Sequence, residues 1–188
     1  MSLIEIIATA TGVLAVWLTI RQNPWCWPVG LVMVLLYTWI FYDSKLYSNM
    51  LLQLAYALLQ GYGWWQWVYG GEAKAGVKIG RLSASRLFQG VSLGVIGGCG
   101  LGYLMSAYTD ASAPWQDAFL SAFSLVAQWW MAQKHMECWL LWVVLDVLFV
   151  GLFLTQALYL TAFLYAVFTA LAVRGWVVWR REYVVATA

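Results

Sequence analysis

Apolar residues along this chain fall into seven runs, near residues 3–20, 27–42, 47–69, 87–108, 115–133, 139–155 and 158–178, separated by short polar breaks. Each run approaches the roughly 20 mostly apolar residues that an α-helix needs to cross hydrocarbon, so the pattern predicts seven transmembrane helices. The breaks carry turn chemistry: Arg21-Gln22-Asn23-Pro24, Asp43-Ser44-Lys45, a polar stretch from Gly70 to Arg86, and Ala113-Pro114 ahead of the fifth run. The weak break near Gln156 is inferred from its counterpart in the first half of the chain. The first run reads as a span and not as a secretory signal, because it holds Glu5 and no Lys or Arg precedes Arg21.

Residues 5–67 and 117–179 align without a gap under a shift of 112. Trp17, Trp27, Trp64 and Trp67 fall on Trp129, Trp139, Trp176 and Trp179; Cys26 falls on Cys138, Tyr47 on Tyr159 and Gly63 on Gly175. Seven Trp in the first window and six in the second would coincide less than once by chance, so the chain contains a duplicated three-helix unit. Three is odd, and two directly joined copies would run oppositely through a membrane. The unmatched fourth helix, with Gly94, Gly97, Gly98, Gly100 and Gly102 for close packing, restores the direction. The expected fold is an all-α integral membrane protein, with seven transmembrane helices in a 3+1+3 parallel-repeat arrangement about a pseudo-two-fold axis along the membrane normal. Its parts are a first repeat at 1–70, a cytoplasmic loop and linker helix at 71–113, and a second repeat with a cytoplasmic C-terminus at 114–188.

Composition agrees. The chain is 64% hydrophobic and 10% charged, against about 25% charged in soluble domains. With the N-terminus outside, Arg21, Lys74, Lys78, Arg81, Arg86, Lys134, Arg174, Arg180 and Arg181 are cytoplasmic or reach that side, and only Lys45 is outside, as the positive-inside rule requires. The net charge of +2 therefore reflects topology and gives no reason to expect nucleic acid. Cys26, Cys99 and Cys138 lack metal-ligand spacing and read as packing residues. No metal, cofactor or catalytic site is expected.

Polar groups at membrane depth are costly and mark candidate pathways. Asn49, Gln53, Tyr56, Gln60 and Trp64 share one face of the third helix; their counterparts Thr161, Tyr165, Phe168, Ala172 and Trp176 make the second copy more aromatic. Trp139, Trp142, Asp146 and Phe149 share a face of the sixth helix, and Asp146, opposite Val34 in the first copy, is the one carboxylate near mid-membrane. Ser121, Ser124 and Gln128 line a face of the fifth. Such groups also tie helices together in membrane interiors, and that plainer role competes at every position. Most of the tryptophans toward the cytoplasmic helix ends are expected in a headgroup belt, with Trp142 and Trp39 nearer the interior and able to stack on a planar cation.

Asn23-Pro24-x-x-Trp27-Pro28-x-Gly30, Phe41-Tyr42-x-x-Lys45-Leu46-Tyr47-x-Asn49-Met50-x-x-Gln53-x-x-Tyr56 and Gly63-Trp64-Trp65-x-Trp67 resemble the PnuC-type vitamin transporters. Lys134-x-x-Glu137-x-Trp139-x-x-Trp142-x-x-x-Asp146, Leu158-Tyr159-x-Thr161-Ala162-x-Leu164-Tyr165 and Gly175-x-x-x-Trp179 resemble that family's second repeat. The resemblance implies uptake of nicotinamide riboside across a bacterial inner membrane by facilitated diffusion, with a cytosolic kinase trapping the product. That cargo fits a substrate site drawn from the residues read above, namely Asn49, Gln53, Tyr56, Gln60, Gln128, Trp142, Asp146, Thr161 and Tyr165. The pyridinium would meet an aromatic face or Asp146, the carboxamide Gln53 or Gln128, and the ribose Asn49, Gln60 or Tyr165. Partners beyond substrate and lipid are left open, a homo-oligomer among them. Thiamine or another vitamin precursor is the alternative cargo.

A membrane enzyme or a receptor is the competing class. His135, the sole histidine, sits beside Lys134 at the cytoplasmic border, where a solvated position is expected. No nucleophile–base pair and no Gly-x-x-x-x-Gly-Lys loop is visible, and Asp146 is the one deep titratable group, so passive transport is the reading.

Overall fold

The computed structural model describes residues 3–43, 47–71, 74–109, 113–155 and 159–187. Nearly all of them lie in seven helices: α1 (Leu3–Ile20), α2 (Cys26–Asp43), α3 (Tyr47–Tyr69), α4 (Ala84–Tyr108), α5 (Pro114–Ala132), α6 (Glu137–Thr155) and α7 (Tyr159–Thr187). By length and composition α4, α6 and residues Thr161–Thr187 of α7 can each cross a membrane, while Ile6–Ile20 and Cys26–Trp39 are shorter apolar stretches. Amides and hydroxyls dilute α3 and α5.

Helix starts follow their caps. Ser83 accepts a bond from the Arg86 amide at 3.3 Å and starts α4 ahead of its apolar run, and Pro114 stands in the first turn of α5, where its missing N–H costs nothing. The C-terminal end of α7 departs from the hydrophobic pattern. The apolar run stops near 178, yet the helix continues to Thr187 because Arg180, Arg181 and Glu182 are competent helix formers with no Gly or Pro among them. Its 29 residues span about 43 Å, more than the ~30 Å hydrocarbon core.

Six helices contact in a closed cycle, α1–α2–α3–α5–α6–α7 and back to α1, whereas α4 packs on α5 outside it. Gly90, Gly94, Gly98 and Gly102 form a ridge along α4, and any side chain there would collide with Trp130, Phe123, Phe119 and Trp115 of α5. Gly97 only touches Ala122 and Gly100 faces open space, so two of the glycines expected to pack closely do not form the ridge. Cys99 is exposed on α4 and is not the packing residue the sequence suggested, unlike buried Cys26 and Cys138.

The α1–α2 and α5–α6 turns are built alike. Gln22 and Lys134 both adopt φ 52°. The amides of Gln22 and Asn23 donate to Thr19 and Leu18, as those of Lys134 and His135 donate to Met131 and Trp130, with lengths of 2.9 and 3.0 Å in each turn. The two turns meet: the Lys134 ammonium donates to Gln22 Oε1 at 3.2 Å, and Gln22 in turn donates to the Glu182 carboxylate. Burial lowers the Lys134 pKa, with Cys26 and Glu182 opposing, and the cation lies 4.4 Å over the Trp67 ring.

Beneath these turns four indoles form a chain. Trp27 meets Trp67 edge-on at 5.4 Å, Trp67 meets Trp179 at 6.0 Å, and Trp179 meets Trp139 edge-on at 5.4 Å. The Trp67 N–H donates to the Met131 carbonyl and that of Trp179 to the Ile20 carbonyl, both at 3.2 Å, so each reaches across to the other half of the chain. All four are buried. The expectation of a headgroup belt is corrected for them: depth along the helix was read from sequence, but these indoles point into the bundle, where glycines open space for two of them. Gly63 lies against Trp27 and Gly175 against Trp139. Trp39 is corrected the other way and stands 61% exposed.

The connection from α3 to α4 is docked. Gly80 exchanges backbone bonds of 3.0 Å with Lys134 and Met136, the Leu82 amide donates to Glu137 at 3.0 Å, and Arg81 pairs with Glu137 at 3.6 Å. His135, expected to be solvated, is buried beneath this segment. Its Nε2 accepts from the Arg86 guanidinium at 2.8 Å, which requires the neutral ring, and burial with the Arg86 charge lowers its pKa against the opposing Glu137.

Candidate functional site

The helices of the cycle converge on two tyrosines. Tyr165 of α7 stacks among Phe149 at 4.9 Å, Phe153 at 5.0 Å and Phe168 at 5.7 Å. It stands within electrostatic range of Tyr56, Asp146, Tyr37 and Asp117, and so of α3, α6, α2 and α5. The Tyr56 phenol lies against the Ser124 hydroxyl, which donates to the Leu120 carbonyl at 2.8 Å. From α1, Gly12 opens space beside Met33 and Phe168. Tyr37 and Gly12 were not selected from the sequence. Tyr37 follows no polar stripe, and the signal of Gly12 is only the absence of a side chain.

Asp146 is 4% exposed and Val34, its counterpart under the repeat, 1%. One half thus seals a valine where the other holds a carboxylate. Gln60 is buried with its amide directly over Gly30, a position a larger residue on α2 would deny it. Gln53, Tyr56, Gln128, Trp142, Thr161 and Tyr165 are half-buried. Asn49 lies in the first turn of α3, with its side chain outside the described residues.

Among the described residues, Asp146, Gln53, Gln60 and Gln128 have no hydrogen-bond partner, yet none is among the sealed polar atoms left unpaired, which belong to Trp27, Trp130, His135, Trp139 and Trp142. Buried amides and carboxylates that serve only to join helices would be paired. Asp146 and Gln60 are buried without such a partner, and their polar atoms are not sealed, whereas Gln53 and Gln128 are half-buried. The Trp142 N–H is a sealed donor, with its ring packed between both clusters of the core. The structure therefore brings Tyr56, Asp146 and Tyr165 together; the described contacts do not join Gln128 or Thr161 to them. Among the described residues, no cluster of His, Cys, Asp and Glu could hold a metal ion. A cavity of about 450 Å³ lies elsewhere, at the basic end between α1 and α7.

Comparison with known proteins bears on this arrangement. The family model described as Nicotinamide mononucleotide transporter matches residues 2–181. The nicotinamide riboside transporter PnuC of Escherichia coli (strain K12) is 26% identical over 204 residues, covering 95% of this chain and 85% of that protein. The riboflavin/roseoflavin transporter RibM of Streptomyces davaonensis is 27% identical over 176 residues, covering 91% and 81%. A crystal structure of the vitamin B3 transporter PnuC superimposes with a TM-score of 0.73 at 25% identity, covering 95% of this chain and 80% of that one.

Proposed function

This chain belongs to the nicotinamide mononucleotide transporter family, and from that premise we propose that it carries nicotinamide riboside across the membrane by facilitated diffusion. The observation that carries the reading is Asp146, buried without a hydrogen-bond partner among the described residues and within electrostatic range of Tyr165, whose ring packs among Phe149, Phe153 and Phe168. A pyridinium cation is matched by a carboxylate and aromatic faces, a carboxamide by Gln53 or Gln128, and ribose hydroxyls by Asn49, Gln60, Thr161 or Tyr165. Trp142 contributes a ring wall. No catalytic step is assigned to any of them.

The architecture we propose is 3+1+3, with repeats at 1–70 and 114–188 joined by the loop and linker helix of 71–113. The closed six-helix cycle, the matched turns and the crossed indole bonds support it. The two halves would rock about the central site. Nine of ten Lys and Arg gather toward one side in this plan, which supports an N-terminus outside, a cytoplasmic C-terminus and, by family resemblance, a bacterial inner membrane. With Asp146 as the one deep titratable group selected, transport is passive and accumulation depends on a cytosolic kinase. A homo-oligomer is compatible with this plan.

Binding to detergent-purified protein tests the cargo. The riboside is expected to bind more tightly than nicotinamide mononucleotide, because no Lys or Arg stands among the proposed site residues to receive a phosphate. Tighter mononucleotide binding would overturn the assignment. The likeness to RibM favours a second reading, riboflavin, and preferential binding of riboflavin over the riboside would select it; thiamine completes the panel.

A further inference from the structure

The cavity at the basic end is lined by Trp17, Ile20 and Arg21 of α1 and by Arg174, Val178 and Glu182 of α7. It is an open cleft of about 450 Å³, ample for a phosphate and its substituents. Arg21 lies 4.8 Å from the Trp17 ring centre, which holds the guanidinium at the cleft. Glu182, the one acidic lining residue, accepts from Gln22, whose other amide atom accepts from Lys134. One of its oxygens is thereby engaged by the neighbouring turn, and with Arg21 and Arg174 opposite it the cleft keeps a net positive charge.

The repeat supplies an internal control. The equivalent seam, between α5 and α3, carries Gln133 and Tyr62 where this one carries Arg21 and Arg174, and Gly70 in place of Glu182. Trp129 keeps the aromatic residue of Trp17. The paired arginines thus belong to one seam alone and do not follow from the repeat. Beside the cleft, Leu14 of α1, three residues before Trp17, and Val173 of α7, next to Arg174, are exposed apolar side chains. A ligand here would meet cations at one end and hydrocarbon-compatible surface at the other, as an anionic lipid does in a basic pocket between transmembrane helices. A free phosphate would use only the first.

We infer that the α1–α7 cleft is a binding site for the phosphate headgroup of an anionic phospholipid, held by Arg21 and Arg174, with its acyl chains along Leu14 and Val173. The site lies on a seam joining the two halves, so an occupying lipid bridges surfaces that must slide during transport.

The test is native mass spectrometry and thermal unfolding of delipidated protein in micelles doped with phosphatidylglycerol or phosphatidylcholine, with inorganic phosphate as a third arm. Wild type is expected to retain phosphatidylglycerol preferentially, with about a fivefold loss of preference for each arginine replaced by Gln. R21K/R174K should restore most of it, and R180Q/R181Q, outside the cleft, should leave it intact. If R21Q/R174Q cannot be purified, R174Q alone is read. Preference unchanged in the Gln variants would overturn the site, and an arginine-dependent shift with inorganic phosphate alone would overturn the lipid assignment. Riboside binding by the same R21Q/R174Q sample should equal wild type, which separates this site from the transport reading.

Discussion

Replacing Gly175 by Ala isolates the packing of the indole chain. An added methyl would stand 2.6–2.7 Å from Trp139 Cδ2, Cε2 and Cε3, about 1 Å inside ordinary carbon–carbon contact. Trp139 is 1% exposed and set edge-on to Trp179 at 5.4 Å, so it has no room to retreat without moving its partner. Overpacking of this kind costs about 1–3 kcal/mol. Gly151 of α6 is the control, because its added methyl meets nothing within 4 Å. Both substitutions gain the ~1 kcal/mol by which Ala exceeds Gly in a helix, so the contrast between them reports the clash. Followed by tryptophan fluorescence on heating in one detergent, G175A should unfold roughly 3–10 °C below G151A. The difference should shrink when Trp139 is also replaced by Phe, since the smaller ring vacates the contested volume. G175A matching G151A, or an equal penalty in the W139F background, would refute the account.

D146N and Q53A should each weaken riboside binding about tenfold, or 1.4 kcal/mol, measured by calorimetry; wild-type affinity in both would remove the proposed site. Lowering the pH from 7.5 to 5.5 should undock the α3–α4 connection. His135 has its folded pKa held below 6.5 by burial and Arg86, so the undocked state takes up the proton more readily; the contact is fully present above 6.5 and is lost as pH falls below it. Hydrogen exchange at Gly80 and Leu82 reports this, and identical pH dependence in H135N would assign it to another group. G98L should split α4 from α5, since Phe119 occupies the space beside Gly98; unchanged protection of α4 amides would contradict the ridge.

The helices were legible because hydrophobic length is the dominant constraint in a bilayer, and the shift of 112 stands out in the sequence because tryptophan is rare enough for coincidences to count. Direction within the membrane interior was less so. Trp27 and Trp17 look alike in sequence, yet one is buried and the other 37% exposed, because the sequence pattern gives depth while the facing glycine that receives a ring lies on another helix. His135 was misplaced for a related reason: its cover comes from Gly80 and Arg86, more than forty residues away. At the candidate site, Tyr56, Asp146 and Tyr165 were found by their polarity at depth. Tyr37 and the α1–α7 cleft were missed, since each arises from tertiary contact between segments that carry no shared motif.

Lys134 and Gln22 touch each other from positions 112 residues apart, the interval of the internal repeat. On a true two-fold axis a residue meets its own copy, so a dimer of identical three-helix subunits could place only lysine against lysine there, or glutamine against glutamine. Pairing an ammonium with an amide carbonyl at this point requires two halves that differ in sequence, as Gln22 and Lys134 do here. On the 3+1+3 plan proposed above, joining unlike halves in one chain would release the axial position from self-complementarity.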